Sequence, residues 1–203
     1  MGIQGLRIAV LATDGFEESE LFDPVHVFET ERALVDIISL KPGSIRAWKG
    51  DNWTRSIAVT HSLDEVQPEN YDLLFLPGGV MNPDRLRLDP LAIQFVKSFF
   101  ELDKPVAAIC HGVQILIDAD VLRGRMLTSW PSLQKDLENA GAHWIDSRVV
   151  DDNKLITSRK PEDLPAFIEK VIQVLSKARP EDSSTLPSFK GRRPPEVSLT
   201  HEY

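Results

Sequence analysis

The chain has 203 residues, of which 42% are hydrophobic and 27% are charged, so it is long enough to bury the core of one ordinary globular domain. Its formal net charge of -8 makes the surface acidic and repels phosphate backbones and anionic membranes. We therefore expect no nucleic acid and no membrane as partners, whereas small substrates or other proteins fit this surface.

The chain contains a single cysteine, Cys110, which rules out an intramolecular disulfide and a multi-thiolate zinc site. A free thiol predicts a reducing, cytoplasmic location, and neither a spanning apolar run nor a secretory signal pattern is visible. The histidines away from Cys110 show no metal-ligand spacing, so we expect no metal and no cofactor; they are His26, His61, His143 and His201.

Short apolar runs alternate with longer amphipathic stretches along most of the chain. The runs predict buried strands at 6–12, 35–40, 71–76 and 105–109. The stretches predict helices at 17–33, 83–102, 111–122 and 164–178, and a hairpin is predicted at 44–59. Since each helix must cover a sheet face, this alternation predicts a doubly wound, mostly parallel α/β sheet with helices on both faces.

The composition changes after residue 178. Residues 1–178 are expected to form the single α/β domain, and residues 179–203 form a polar, Pro-rich C-terminal tail. Leu186 and Phe189 are among its few apolar side chains. We expect them to anchor the tail on its own body or on a neighbouring subunit.

Cys110 follows the predicted strand at 105–109 and opens the next helix, and ligands of open parallel sheets bind at this end of the strands. A sharp strand-to-helix turn would expose its thiol, and the amides of His111 and Gly112 could stabilise a thiolate there. The alternative is that a lone cysteine is a small core side chain. The usual nucleotide-binding and serine-hydrolase motifs are missing from the sequence.

Three motifs share a position at the end of a predicted strand: Asp-Gly-Phe-Glu17-Glu, Leu-Pro-Gly78-Gly79 and Ala-Ala-Ile-Cys110-His111-Gly112. Together with Leu-Arg-Gly-Arg at 122–125 and Thr-Ser-Trp-Pro at 128–131, they resemble the ThiJ/PfpI superfamily, and its PfpI-endopeptidase-like branch fits best. The resemblance extends from about residue 6 to 178. It implies a flavodoxin-like fold, similar to that of class I glutamine amidotransferases.

The resemblance implies that Cys110 is a nucleophile, that His111 acts beside it, and that Glu17 projects toward the sulfur. Two full charges about 3 Å apart repel by roughly 5 kcal/mol at an effective dielectric of 20, so one group should keep a proton. We expect Glu17 to hold it and to donate a hydrogen bond to the thiolate. The alternative is that Glu17 is only a carboxylate at a helix N-terminus, as is expected of Glu18 and Glu20.

In the PfpI-like branch a carboxylate from a second subunit orients the histidine, and Asp84 stands at the matching position. A homodimer or larger homo-oligomer would then complete the site across its interface. Asp84 is one methylene shorter than the family's glutamate, and the alternative is a solvated charge or an ordinary residue of a helix start.

Two further positions are expected to bind substrate. The Gly78-Gly79 turn would bring the Gly79 amide to a developing oxyanion, together with the amide of His111. Its alternative role is a tight turn. Trp130 stands where the family often has tyrosine, and its indole N–H can donate a hydrogen bond but cannot accept one.

These features predict a cysteine-nucleophile hydrolase related to stress. The substrates implied by the resemblance are peptides, as for an intracellular protease, or glyoxal and methylglyoxal adducts, as for a protein or nucleotide deglycase. The alternative from another class is a non-catalytic redox sensor or holding chaperone that acts through oxidation of Cys110.

Overall fold

A seven-stranded sheet forms the centre of the protein, for which the computed structural model describes residues 2–178. In this range the strands are β1 (Arg7–Leu11), β2 (Phe16–Glu17), β3 (Leu34–Ser39), β4 (Ser44–Lys49), β5 (Asn52–Ala58), β6 (His61–Ser62), β7 (Leu73–Leu76), β8 (Val106–Ile109), β9 (Met126–Leu127), β10 (His143–Trp144), β11 (Val149–Asp152) and β12 (Leu155–Ser158). The central sheet has the order β11-β12-β8-β7-β1-β3-β6. Its pairs are parallel except that of β11 with β12.

Helices cover both faces of this sheet. They are α1 (Glu18–Thr30), α2 (Met81–Leu86), α3 (Pro90–Glu101), α4 (Ile115–Asp118), α5 (Gln134–Asn139) and α6 (Leu164–Ala178). Short 3-10 helices lie at Leu63–Glu65, Pro68–Asn70, Cys110–Gln114, Pro131–Leu133 and Pro161–Asp163. This arrangement confirms the predicted doubly wound, mostly parallel sheet.

Alternating strand residues divide the core into two layers, because successive side chains of a strand point to opposite faces. On one face Val10, Phe75 and Ile109 pack with buried residues of α1 and α6. On the other face Leu76 and Ala108 pack with buried residues of α3, α4 and α5. Strands β1, β7 and β8 are covered on both faces and fully buried at their centres, which explains their continuous apolar runs.

Two of the predicted helices are divided in the structure. The helix predicted at 83–102 is two helices, because the Asp89 side chain accepts hydrogen bonds from the Leu91 and Ala92 amides at 2.8 and 3.3 Å and Pro90 opens α3. The helix predicted at 111–122 is a 3-10 turn followed by the short α4.

Outside the central sheet, β4 and β5 form the antiparallel hairpin that was expected at 44–59. Strands β11 and β12 are additions to the prediction. Leu186 and Phe189 lie outside the described residues, so the tail at 179–203 and the domain boundary at 178 stay predictions. None of the helices between residues 2 and 178 has the length and apolar character needed to cross a bilayer.

Three neighbouring strands bring their carboxyl ends to one edge of the sheet. Strand β7 pairs in parallel with β8 on one side and with β1 on the other. From β1 the chain continues to β3, on the side of β1 that faces away from β7. The loops after these strands therefore meet where the winding of the sheet reverses, which is the usual ligand site of such sheets.

Candidate active site

Cys110 follows β8 directly and has a backbone φ of 61°, a left-handed conformation that is costly for a residue with a side chain. Ile109 before it is still extended, with φ of -124° and ψ of 146°. The Trp130 amide donates to the Cys110 carbonyl oxygen at 3.3 Å and helps to hold the turn. The predicted elbow is thus present, and Cys110 is only 6% exposed.

Two backbone amides point at the sulfur. The N–H groups of His111 and Gly79 both donate hydrogen bonds to the Cys110 side chain. They are the amides expected to form an oxyanion hole, and they favour negative charge at or near the sulfur.

The two glycines after β7 allow this close approach. A Cβ atom at position 78 would lie 2.7 Å from the Cβ of Cys110, closer than real Cβ atoms come. Gly79 has a φ of 83°, and a Cβ atom there would lie 2.6 Å from the nitrogen of Glu17. Any larger residue would push the loop and its amide away from the thiol.

The carboxyl group beside the sulfur belongs to Glu20. Its side chain is fully buried, and its Oε2 accepts a hydrogen bond from the Gly78 amide at 2.9 Å. The carboxyl also interacts with the Cys110 thiol, and this interaction shifts the pKa of both groups. Its second oxygen, Oε1, has no hydrogen-bond partner among the described residues, so this buried oxygen can carry a proton.

The prediction for Glu17 is therefore corrected. Glu17 is the N-cap of α1, where its Oε2 accepts hydrogen bonds from the Ser19 hydroxyl at 2.5 Å and the Glu20 amide at 3.0 Å. Glu17 is thus a carboxylate at a helix N-terminus, which was its alternative role. The helical spacing could have identified Glu20, because it precedes the buried Pro24 and Phe28 by four and eight residues.

Burial and charge couple the two ionisable groups. Burial raises the pKa of Glu20 to about 8, and the charge of Glu17 adds to this effect. Burial and a charge on Glu20 raise the pKa of Cys110, whereas the amides of His111 and Gly79 lower it. The thiol and carboxyl thus ionise as a pair, and a charge on either one keeps the proton on the other.

His111 places its Nδ1 atom 3.4 Å from the Cys110 sulfur. Its ring stacks on that of Trp130, with ring centroids 6.0 Å apart and an interplanar angle of 26°. Burial lowers the pKa of His111, which favours the neutral ring, and a neutral imidazole has one nitrogen that can accept a proton. The structure therefore brings Trp130 and His111 together beside the thiol.

Asp84 is exposed on the short helix α2. Within residues 2–178 its carboxylate makes no hydrogen bond and no ion pair, and nothing links it to His111. A contribution of Asp84 across a subunit interface stays a prediction. In the same range no group of three or more His, Cys, Asp or Glu side chains is arranged to hold a metal ion.

Asn82 is a buried positioning residue that the sequence motifs did not indicate. Its Nδ2 donates to the carbonyl oxygens of Pro77 and Gly78 at 2.9 and 3.2 Å, and its Oδ1 accepts from the Thr13 amide at 2.8 Å. It thus joins the loop after β7 to the loop after β1. This connection fixes the backbone from which the Gly79 amide points at the sulfur.

The backbone strain at Cys110 predicts an inverted response to glycine. Both Cys110→Ala and Cys110→Gly remove the sulfur, but only glycine is unstrained at a φ of 61°. We expect the Gly variant to be more stable than the Ala variant by about 1 kcal/mol in urea unfolding. Ala108→Gly in β8 is the matched control and should lose stability; a Cys110→Gly protein less stable than Cys110→Ala would contradict the strain.

The three hydrogen bonds of Asn82 predict a large cost for losing them. Asn82→Leu keeps a similar volume but leaves buried backbone groups unpaired, so we expect a loss of about 3 kcal/mol in unfolding free energy. Asn139→Leu, on the exposed part of α5, should change stability by less than about 0.5 kcal/mol. Equal effects of the two substitutions would remove the positioning role.

The raised pKa of Glu20 predicts that stability depends on pH. An unfolded chain loses this proton near the ordinary value of 4.5, whereas the folded chain keeps it up to about 8. The folded state binds more protons in this window, so its stability should fall as pH rises from 4.5 to 8. Unfolding titrations of Glu20→Gln should lack this slope, and Glu29→Gln on the exposed side of α1 should retain it. An unchanged slope in Glu20→Gln would contradict the assignment.

Comparison with known proteins places this chain in a family. The model of the DJ-1/PfpI family matches residues 6–174. Protein/nucleic acid deglycase 2 of Escherichia coli (strain K12) is 44% identical over 170 residues, which cover 83% of this chain and 97% of that protein. General stress protein 18 of Bacillus subtilis (strain 168) is 41% identical over 174 residues, which cover 85% and 99% of the two chains.

A solved structure supports the same conclusion. It is a two-domain protein of Anabaena variabilis with DJ-1/ThiJ/PfpI-like and ferritin-like domains, 32% identical to this chain with a TM-score of 0.80. The match covers 84% of this chain and 48% of that one, so the chain spans about half the length of the two-domain protein. From the sequence match, the shared fold and the elbow at Cys110, we conclude that the chain belongs to the DJ-1/PfpI family.

Proposed function

We propose that this chain is a cysteine-dependent hydrolase of the PfpI type that removes glyoxal and methylglyoxal adducts from amino groups. The observation that carries the proposal is the strained Cys110, whose sulfur receives two backbone amides and lies beside a buried carboxyl and a neutral imidazole. A nucleophile, an oxyanion site and proton carriers are thus assembled at one point. The name of the Escherichia coli relative supports deglycase chemistry.

The proposed first step uses the thiol proton. For a methylglyoxal hemiaminal, the sulfur bonds to the carbon that carries the nitrogen, the carbon–nitrogen bond breaks, and the amine leaves with a proton. That proton originates on the thiol and travels by way of the His111 Nδ1 atom, which is 3.4 Å from the sulfur. The amides of Gly79 and His111 stabilise negative charge that develops beside the sulfur.

The second half of the reaction regenerates the thiol. A proton shift within the sulfur-bound fragment converts the hemithioacetal into a thioester of lactate, and water cleaves this thioester. The sum is hydration: one adduct and one water give one free amine and one lactate. Neither an oxidant nor a reductant is consumed. Glu20 retains a proton during the attack and so keeps the negative charge on the sulfur.

The restricted access to the thiol favours small substrates. Cys110 is 6% exposed, and the stacked rings of His111 and Trp130 lie beside it. A carbonyl adduct at the tip of a flexible side chain or on a nucleotide can reach this sulfur. An extended peptide would have to bring its less accessible main chain to the same point, so we place peptide hydrolysis second.

A redox role is a further candidate. A sulfinic acid formed at Cys110 would accept hydrogen bonds from the amides of Gly79 and His111, and the unpartnered Oε1 of Glu20 could donate to it when protonated. In this role the protein would sense oxidants or act as a holding chaperone without turnover. Mass spectrometry after mild peroxide treatment supports it only if Cys110 gains two oxygens while no adduct is turned over.

The oligomeric state and the cellular location of the protein are part of the same proposal. We propose that a second copy brings Asp84 to His111 in a homodimer or larger homo-oligomer, which would show as a multiple of 22.8 kDa in light scattering. The exposed carboxylate of Asp84 leaves it available for such a contact. The unpaired thiol supports a reducing, cytoplasmic location.

Turnover of a defined adduct tests the proposal. Purified protein is mixed with the methylglyoxal adduct of N-acetyl-lysine, and the released amine and lactate are both measured. We expect Cys110→Ala to lower the rate by at least about 10³-fold, because the nucleophile is lost. Glu29→Gln serves as the control variant and should retain the wild-type rate.

Two results would contradict the proposal. The first is a wild-type rate in Cys110→Ala, which would remove the nucleophile. The second is a rate of lactate formation that depends on the concentration of free methylglyoxal and not on that of the adduct. The protein would then be a glyoxalase. A fluorogenic peptide cleaved faster than the adduct would place peptide hydrolysis first.

A further inference from the structure

An apolar groove lies between α1 and α6, on the sheet face that these two helices cover. It has a volume of about 640 Å³. Its apolar lining includes Val27, Ile168 and Ile172. Its acidic lining consists of Asp23, Glu162 and Glu169. The groove therefore combines an apolar floor with an acidic rim, where Lys160 lies 3.9 Å from Glu162 and no ion pair is formed by Asp23 or Glu169 within the described residues.

The chain continues from one wall of this groove. Helix α6 ends at Ala178, and the family match already ends at residue 174. The following segment carries two large apolar residues, Leu186 and Phe189, followed by a basic run at 190–193 that contains one lysine and two arginines. Its chemistry is thus complementary to both parts of the groove.

The segment is long enough to return to the groove. Ile168 precedes Ala178 by ten residues, or about 15 Å along the axis of α6. The eight residues from Ala178 to Leu186 can span up to about 26 Å when extended. Phe189 comes three residues later, which leaves slack for the reversal of direction after α6.

We propose that residues 185–193 fold back and dock in the α1–α6 groove of the same chain. Phe189 and Leu186 pack on Ile168, Ile172 and Val27, which removes apolar surface from water. The basic run lies against Glu162 and Glu169, where opposite charges set the direction of the segment. The effective concentration of a tethered segment is high, so even a weak contact of this size is populated.

Cleavage by trypsin in the full-length protein tests the docking. Trypsin cuts after Lys190 and Arg192, whereas Pro194 blocks cleavage after Arg193, and a docked segment resists trypsin. We expect Phe189→Ser and Ile172→Asp each to speed cleavage at these sites roughly tenfold, because cleavage follows the population of the undocked segment. Leu91→Asp, on α3 at the opposite sheet face, should leave the cleavage rate unchanged.

A charge-reversal variant separates loss of docking from loss of folding stability. Glu169 is exposed, so Glu169→Lys should leave the melting temperature unchanged while it speeds cleavage in the same region. The matched control is Glu101→Lys at the end of α3. Equal cleavage rates in the wild type and all variants would overturn the proposal. So would protection that disappears on dilution, because the groove would then hold the tail of a second copy.

Discussion

The active site depends on one constraint: the sulfur of Cys110 and the carboxyl of Glu20 are buried side by side with too few donors to hold two charges. The backbone amides of His111 and Gly79 donate hydrogen bonds to the sulfur, whereas the only backbone amide that donates to the carboxyl is that of Gly78. The nearby charge of Glu17 further disfavours ionised Glu20. We infer that when the pair has lost one proton, the charge lies on the sulfur and the remaining proton on Glu20.

The surrounding fold serves to hold this pair. The strained backbone of Cys110 persists because β8 lies within the sheet and the turn after it is tied to Trp130. Asn82 ties the loop after β7 to that after β1, so the amide of Gly79 stays aimed at the thiol. Helix α1 begins at its Glu17 cap and presents Glu20 to the interior one turn later. The reactive geometry is therefore a property of the sheet edge as a whole.

Much of this arrangement could be predicted from the sequence. Apolar runs located the strands, and the motifs after them identified the elbow at Cys110 and the amide of Gly79. The choice between Glu17 and Glu20 could not be made from motif position, because three carboxylates fall within one turn of helix. The helical spacing from Glu20 to the buried Pro24 and Phe28 is the signal that separates the buried acid from the N-cap. The strands β11 and β12 escaped prediction because each has only two apolar residues followed by two polar ones, whereas β7 and β8 are apolar throughout.

The location of the single negative charge tests the account most directly. The ultraviolet absorbance of the thiolate is measured across pH for the wild type, with Cys110→Ala subtracted as background. The account predicts that thiolate absorbance appears in the same step in which the pair loses its first proton, while Glu20 is still protonated. Absorbance that rises only in the second step, at higher pH, would contradict it, because the first charge would then lie on Glu20.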